Sequence, residues 1–260
     1  AILRENREAL IEQTCFTTEL SNLQKMKKNC EYTDYVRIPT SYPEFTKHNP
    51  NVIVMEFLEG KRIEQIDPKD APSYSKLLAQ FEVKTTLFNT FYHADLHSGN
   101  IVFMKNNNDE HMIGIFDFGI MGSTTKHEQD RLYNLLKAMD SPTENGSNIT
   151  SLLLDKFIEP KETICSLTVE QRNDIVNVLQ PCIMDIVNGQ MGITPYHLYE
   201  INGCLVKYKL RLANNFCKMH MAMLAMDSVS HRLNGRSSHL KEIRQMANEI
   251  FTDSDSVLDF

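Results

Sequence analysis

Phe91-Tyr92-His93-Ala94-Asp95-Leu96-His97-Ser98-Gly99-Asn100, then two short apolar runs, then Asp117-Phe118-Gly119: this stretch decides how the chain folds. The runs Ile101 to Met104 and Met112 to Phe116 are joined by Lys105-Asn106-Asn107-Asn108-Asp109-Glu110, the composition of a hairpin around an Asn-rich turn. An antiparallel hairpin sets its open ends side by side, so Asn100 and Asp117 become neighbours although they are distant in sequence. An amide oxygen and a carboxylate form a hard, open ligand pair that suits Mg²⁺, an ion that keeps waters and phosphates in the rest of its shell. Asp95 sits on the loop entering the hairpin, facing whatever that ion orients.

Outward from this segment, the 260 residues suffice for one large domain or two modest ones. Hydrophobic residues at 42% and charged ones at 23% exclude wholesale disorder. With 27 basic and 34 acidic side chains the net charge is −7, which argues against a nucleic-acid partner. No apolar run approaches the ~18 residues of a membrane-spanning helix, so membrane contact would be peripheral. Six scattered cysteines without a CxxC pair read as buried thiols in a reducing, intracellular compartment. The charged start, which lacks Met, reads as the middle of a longer protein without a signal peptide.

A first amphipathic helix is expected up to about Asn29, on Leu3, Leu10, Phe16, Leu20, Leu23 and Met26. Strands are expected over Val36 to Phe45 and Val52 to Phe57, and a helix from Ala71 to Phe91. Thr125 and Glu128 form a capping box, and helices then run to about Asn248 with loops at 140–150, 159–168 and 188–195. The Met-rich stretch from Phe216 to Met226 reads as a buried core helix rather than a partner-binding face. His93 reads as a brace of the loop. The histidines other than His93 and His97 show no metal-ligand spacing.

Asp95, four residues, Asn100, then Asp117-Phe118-Gly119 matches the catalytic-loop and metal-loop pair of protein kinases. More closely, His93-Ala-Asp95-Leu-His97-Ser-Gly99-Asn100 resembles the His-Ala-Asp-x-His-Pro-Gly-Asn of the UbiB, or aarF-domain-containing kinase, family, with Ser98 in place of proline. Asp117-Phe-Gly119-Ile-Met-Gly122, Val54-Met-Glu-Phe-Leu-Glu-Gly60 and Glu19-Leu-Ser-Asn22 are similar to that family's metal loop, hinge strand and helix motif.

The resemblance implies a protein-kinase-like α+β fold: a truncated small lobe over 1–60, a helical large lobe over 61–250 carrying the metal hairpin, and an acidic tail over 251–260. It implies ATP and Mg²⁺ as cofactors, with Asp95 as the catalytic carboxylate and Asn100 and Asp117 as metal ligands. Met55, Glu56, Phe57 and Leu58 would face the adenine, His97 a phosphate, and Glu19 a phosphate-gripping lysine. The expected activity is phosphotransfer or ATP hydrolysis linked to isoprenoid lipids such as coenzyme Q. Alternatives are an aminoglycoside- or choline-kinase-like enzyme and a nucleotide-free pseudokinase that serves as a binding module.

Two departures bear on activity. The family's Glu-x-Asp is replaced by Gln13-Thr14-Cys15, and no lysine precedes Glu19, so the isolated chain is expected to be weakly active or inactive. The capping box follows Gly122 almost at once and no Ala-Pro-Glu appears, which shifts the expected acceptor from protein toward small or lipid-like molecules.

Overall fold

Leu20, Leu23 and Met26 recur at helical spacing and are all buried, which makes α1 (Phe16–Asn29) amphipathic; Lys27 and Lys28 occupy its last turn, where the helix dipole favours cations. The computed structural model describes residues 15–189, 194–234 and 239–252, the side chains of 250–252 apart. Leu3, Leu10 and Gln13, at the start of the expected first helix, and the acidic tail from residue 253 lie outside the described residues.

The two strands expected after α1 are corrected. Only Val36–Arg37 (β1) is strand, and Pro43–His48 is a short helix, α2, because Pro43 presets the helical φ at the first turn and Glu44 follows it. The run Val52 to Phe57 contributes a single bridge, Met55 to Ser41. Pro39 and Pro43 have no N–H to donate to a ladder, so the two runs exchange little beyond Tyr42 N to Val54 O (2.9 Å) and Glu56 N to Thr40 O (2.7 Å).

Helix α3 (Ala71–Val83) buries Tyr74, Leu78 and Phe81. It stops short of the expected Phe91: Lys84–Phe88 widens into a turn of π-helix and Phe91–His93 is strand β2. In that turn Asn89 N donates to the Lys84 carbonyl (3.0 Å), and the Thr86 carbonyl accepts from Gln129 Nε2 (3.4 Å) and Thr124 Oγ1 (3.5 Å).

The hairpin forms as its composition implies. Strands β3 (Ile101–Lys105) and β4 (His111–Ile115) pair antiparallel from Ile101↔Ile115 to Lys105↔His111, and Asn106 Oδ1 accepts from the amides of Asn108 and Glu110 in the turn. Strand β1 adds to β4 in parallel. Strand β5 (Met121–Ser123) pairs with β2, Tyr92 opposite Gly122, a contact that the pattern does not announce.

Thr125 and Glu128 cap α4 (Lys126–Asp140) reciprocally. There follow α5 (Ser147–Lys156), β6 (Ile158–Glu159), α6 (Lys161–Ser166), α7 (Val169–Asn188), α8 (Pro195–Lys207), β7 (Arg211–Leu212), α9 (Asn214–Leu233) and α10 (His239–Thr252). The expected loops at 140–150 and 159–168 are therefore shorter than the composition suggests. Arg244 of α10 fastens the end of α4, donating to Asp140 Oδ1 (2.8 Å) and the Met139 carbonyl (2.6 Å). The Met-rich helix α9 buries Met219, Ala222, Met226 and Val229 and leaves Met221 exposed, so its main role is core. All six cysteines are free; Cys30 and Cys182 are buried as expected, whereas Cys15 and Cys165 are exposed.

Two apolar clusters result. One joins α4, α5, α7, α8, α9 and α10. The other packs Leu23 and Met26 of α1, Leu78 and Phe81 of α3, the inner faces of the hairpin, Leu96, Phe118 and Val229 of α9. The motif segment lies on this second cluster.

His220 on α9 faces a cavity of about 60 Å³ lined by Leu132, Phe216, Met223 and Leu240, and neither of its ring nitrogens has a hydrogen-bond partner. Burial, with His197 as a second contributor, pushes its pKa down to about 4. A histidine held neutral this way lowers stability as pH falls from ~6.5 toward ~4, by roughly 3 kcal/mol in full, because the unfolded chain takes the proton first. The pair His239–Glu82 (2.6 Å) has the opposite sign: burial lowers the histidine, but the carboxylate outweighs it and raises its pKa. His220→Phe fills the cavity and removes two unsatisfied atoms. It is expected to raise stability at neutral pH by about 1–2 kcal/mol and to flatten the acid-side loss, read from melting temperatures of the two proteins between pH 7 and 5. A lower melting temperature for the variant throughout would overturn this.

Candidate functional site

His93, the last residue of β2, is a buried polar side chain whose two ring nitrogens are both paired. Its Nδ1 accepts from the Asp95 amide (3.1 Å), so Nε2 carries the proton and meets the Asp117 carbonyl at 2.6 Å. Burial pushes its pKa down, against weaker opposing contributions from the Asp117 carbonyl and the nearby carboxylates, and keeps the ring neutral. The expected brace is thus a buried bridge between the loop before the hairpin and the loop after it.

Asn100 is buried and its Nδ2 donates to the Asp95 carbonyl (3.1 Å), while its own carbonyl accepts from Phe116 N (3.2 Å). Its Oδ1 has no protein partner among the described residues. Asp117 is exposed, with φ +68°, and its Oδ1 accepts from Gly119 N (3.1 Å). Asn100 and Asp117 flank the closing pair Ile101↔Ile115, so the hairpin brings them to one end as its geometry requires. Asp95 is half-exposed, with Oδ2 3.8 Å from His97 Nε2. His97 Nδ1 accepts from Gly99 N (3.0 Å), which caps the short turn Ser98–Asn100 and leaves Nε2 as the donor nitrogen.

Glu19 reaches the same place from α1. Its Oε1 accepts from Phe118 N (3.4 Å), and its pKa is raised by burial first and by the charge of Asp117 second, while the Phe118 N–H opposes both. Among the described residues it meets a backbone amide and a neighbouring carboxylate rather than a lysine. One helical turn on, Asn22 Nδ2 donates to the Phe118 carbonyl (2.8 Å). The Glu19-x-x-Asn22 spacing puts both on one helix face, a signal that the sequence carries. The Phe118 ring itself is fully buried.

Of the hinge residues, Met55 packs on the second cluster and Leu58 is buried against the hairpin. Glu56 turns away to Arg37 (2.6 Å) and the Thr40 amide (3.0 Å); the Arg37 guanidinium above all holds its carboxyl down at about 2. Phe57 is exposed. Their side chains therefore do not converge on the loop, and what they offer a ligand is backbone.

Two arginines without any sequence signal also reach the loop. Arg62 Nη1 donates to the Gly99 carbonyl (3.0 Å) and its guanidinium lies 5.3 Å from the Phe116 ring centre; Arg232 Nη1 donates to Ser98 Oγ (2.9 Å).

Among the described residues no three His, Cys, Asp or Glu side chains converge as a metal cage. Asn100 and Asp117 offer an amide and a carboxylate oxygen, a donor set that fits Mg²⁺ shared with phosphate oxygens.

The arrangement is that of a protein-kinase-like α+β domain, mostly helical with small sheets. Residues 1–147 match the ABC1 atypical kinase-like domain, and the chain belongs to that family, in the UbiB branch of kinase-like proteins. It is similar to "Probable protein kinase UbiB" of Haemophilus ducreyi, 30% identical over 181 residues that make up 63% of this chain and 32% of that protein. It is also similar to the protein of the same name in Actinobacillus pleuropneumoniae (serotype 7), 34% identical over 139 residues, 51% of this chain and 24% of that one. "Protein ACTIVITY OF BC1 COMPLEX KINASE 8, chloroplastic" of Arabidopsis thaliana is 31% identical over 137 residues, 51% of this chain and 18% of that one. The chain thus spans about a third or less of the length of these relatives. The Rv3197–erythromycin complex structure from Mycobacterium tuberculosis shares the fold, with TM-score 0.57 at 16% identity, covering 96% of this chain and 61% of that one.

Gly122 shows why the metal-loop motif ends in glycine: a Cβ there would fall inside the ring of Tyr92, which is 3% exposed and cannot yield. Gly122→Ala is expected to destabilise by about 2–3 kcal/mol, and Tyr92→Leu in the same chain to recover part of that loss. Additive losses in a double-mutant cycle of melting data would refute the clash.

Proposed function

We propose that this chain supplies the catalytic-loop and metal-loop part of an ATP- and Mg²⁺-dependent phosphotransferase or ATPase. What supports the reading above all is the His93 bridge, which couples the Asp95 loop to the Asp117 loop and leaves one amide oxygen and one carboxylate at the end of a rigid hairpin. Asn100 and Asp117 would hold Mg²⁺, which when bound offsets charge on phosphate oxygens. Asp95, the half-exposed carboxylate of the loop, orients the acceptor oxygen and takes its proton. His97 Nε2–H donates to a phosphate oxygen. The backbone from Met55 to Leu58 meets the adenine edge. Glu19, beside Asp117, is available to a phosphate-gripping lysine; on this reading residues 1–60 are small lobe and 61–250 large lobe.

The acceptor we propose is a small or lipid-like molecule, isoprenoid lipids included, or water. Between Gly122 and α4 the backbone is committed: Met121–Ser123 pairs with β2, Thr124 N donates to the Thr90 carbonyl (3.0 Å) and Thr125 caps the helix. No residues remain there for a peptide-docking platform. The free thiols accord with a reducing intracellular compartment.

Titration of the full-length protein with Mg·ATP, followed by thermal shift, tests the reading. Wild type is expected to be stabilised by about 2.7 kcal/mol at a hundredfold excess over Kd, and Asp117→Asn to lose most of that gain. Equal stabilisation of both proteins would discredit Asp117 as the metal residue. No stabilisation of wild type would leave the nucleotide-free binding module.

A further inference from the structure

Arg232 lies in the last turn of α9, far in sequence from the loop, yet its guanidinium forks between two segments of the site. Nη1 donates to Ser98 Oγ at 2.9 Å, and Nη2 meets Glu64 Oε1 at 2.6 Å. Glu64 belongs to the short turn Ile63–Gln65 that follows the hinge segment. In the same turn's approach, Arg62 donates to the Gly99 carbonyl and, at 3.5 Å, to the Ile101 carbonyl. The Ser98-Gly99 step therefore has a guanidinium on each side, one from the hinge side and one from the end of α9. On the other side of Asp95 the loop is held by His93. Asp95 and Asn100 are thus carried on a loop restrained at both ends, and α9 reaches it through the Arg232–Ser98 hydrogen bond as well as through the apolar cluster that holds Leu96.

The backbone shows what this grip replaces. His97 is extended (φ −89°, ψ 169°), the conformation required of a residue before proline, and Ser98 is the first residue of its short helical turn, where a proline fits. Serine leaves this step free to rotate; a proline would not. The hydroxyl of Ser98, held by Arg232, restores by a hydrogen bond the restraint a ring would impose covalently. Lysine could not do the same, because a single ammonium on a flexible stem does not present two donors in a fixed fork to Ser98 and Glu64 at once.

We propose that Arg232 is a positioning residue: through Ser98 it fixes the loop that carries Asp95 and Asn100, and so couples the end of α9 and the hinge-side turn to nucleotide binding. Its consequence for affinity rests on the nucleotide reading above; the restraint of the loop does not. The bond spans α9 and the catalytic loop, so any partner or ligand that displaces the α9 end loosens the loop.

Amide hydrogen exchange over residues 95–101 of the full-length, nucleotide-free protein reads the restraint directly, and calorimetric titration with Mg·ATP reads its consequence. Arg232→Gln and Ser98→Ala remove the same bond from opposite sides, and each is expected to speed exchange at these amides about fivefold and to weaken Mg·ATP binding by a similar factor, the scale of an exposed charged contact. The melting temperature should stay near that of wild type. Ser98→Pro in the Arg232→Gln protein is expected to return both readouts to within about twofold of wild type, a rescue that general destabilisation would not allow. Unchanged exchange in either single variant, or a proline variant whose loop stays loose, would overturn the proposal. Should Arg232→Gln fail to fold, Ser98→Ala decides alone. A wild type that binds no Mg·ATP refutes the nucleotide reading, while the exchange comparison still judges the tether.

Discussion

The site depends on one neutral imidazole. His93 is 3% exposed, and a charge there would have to leave water, a cost that the Asp117 carbonyl and the nearby carboxylates of Asp117 and Asp95 do not offset. Two hydrogen bonds contribute about 1 kcal/mol each, far less than the cost of an unpaired buried cation, so burial wins and the ring stays neutral. Neutrality is what lets it do two different things at once: accept from Asp95 N and donate to the Asp117 carbonyl. Protonated, it would present two donors, and the contact with the Asp95 amide would become a clash of like dipoles. The separation of Asp95 from Asp117 is therefore set by the width of one ring.

Around that bridge the packing is layered by strength. Phe118, fully buried next to His93 at a centroid distance of 5.8 Å, anchors the loop after the hairpin by ~2–3 kcal/mol of apolar burial. The hairpin makes the two ligand-bearing ends a rigid pair. Weaker contacts then trim the two loops: the exposed Arg62 on Gly99 and Arg232 on Ser98, and the part-buried Asn22 and Glu19 on Phe118. This ordering keeps Asn100 and Asp117 fixed at the end of the hairpin while the outer loop is held by lighter contacts. Asp117, with positive φ, is held in a backbone conformation that a free chain would avoid, and the buried neighbours on either side maintain it.

The parts legible in the sequence are those whose cause is local. Asn106-Asn107-Asn108 bends a chain without help, so the hairpin and the meeting of Asn100 with Asp117 follow from composition. Thr125 and Glu128 cap α4 because their reach is three residues. The strands around the hinge were misread for the opposite reason: apolar alternation from Val36 to Phe45 promises a strand only if a partner offers a ladder, and Pro39 and Pro43 withhold the donors. The end of α3 is not legible because Phe91–His93 pairs with β5, which comes from beyond the hairpin. The family motifs drew attention to the loop residues, but not to the turn of Glu56 toward Arg37 or to the approach of Glu19 to Asp117.

By itself, then, the order of residues determined the hairpin, the cap, the amphipathic α1, the core character of α9 and the identity of the acid, amide and histidine in the loop, since each rests on neighbours within about one turn or one strand pair. Only the tertiary structure decided that His93 joins the two loops, that Tyr92 demands glycine at position 122, and that Arg62 and Arg232 converge on Ser98-Gly99. Those contacts join segments whose separation along the chain leaves no period or spacing to read, and the burial that makes them strong exists only once the two apolar clusters have closed.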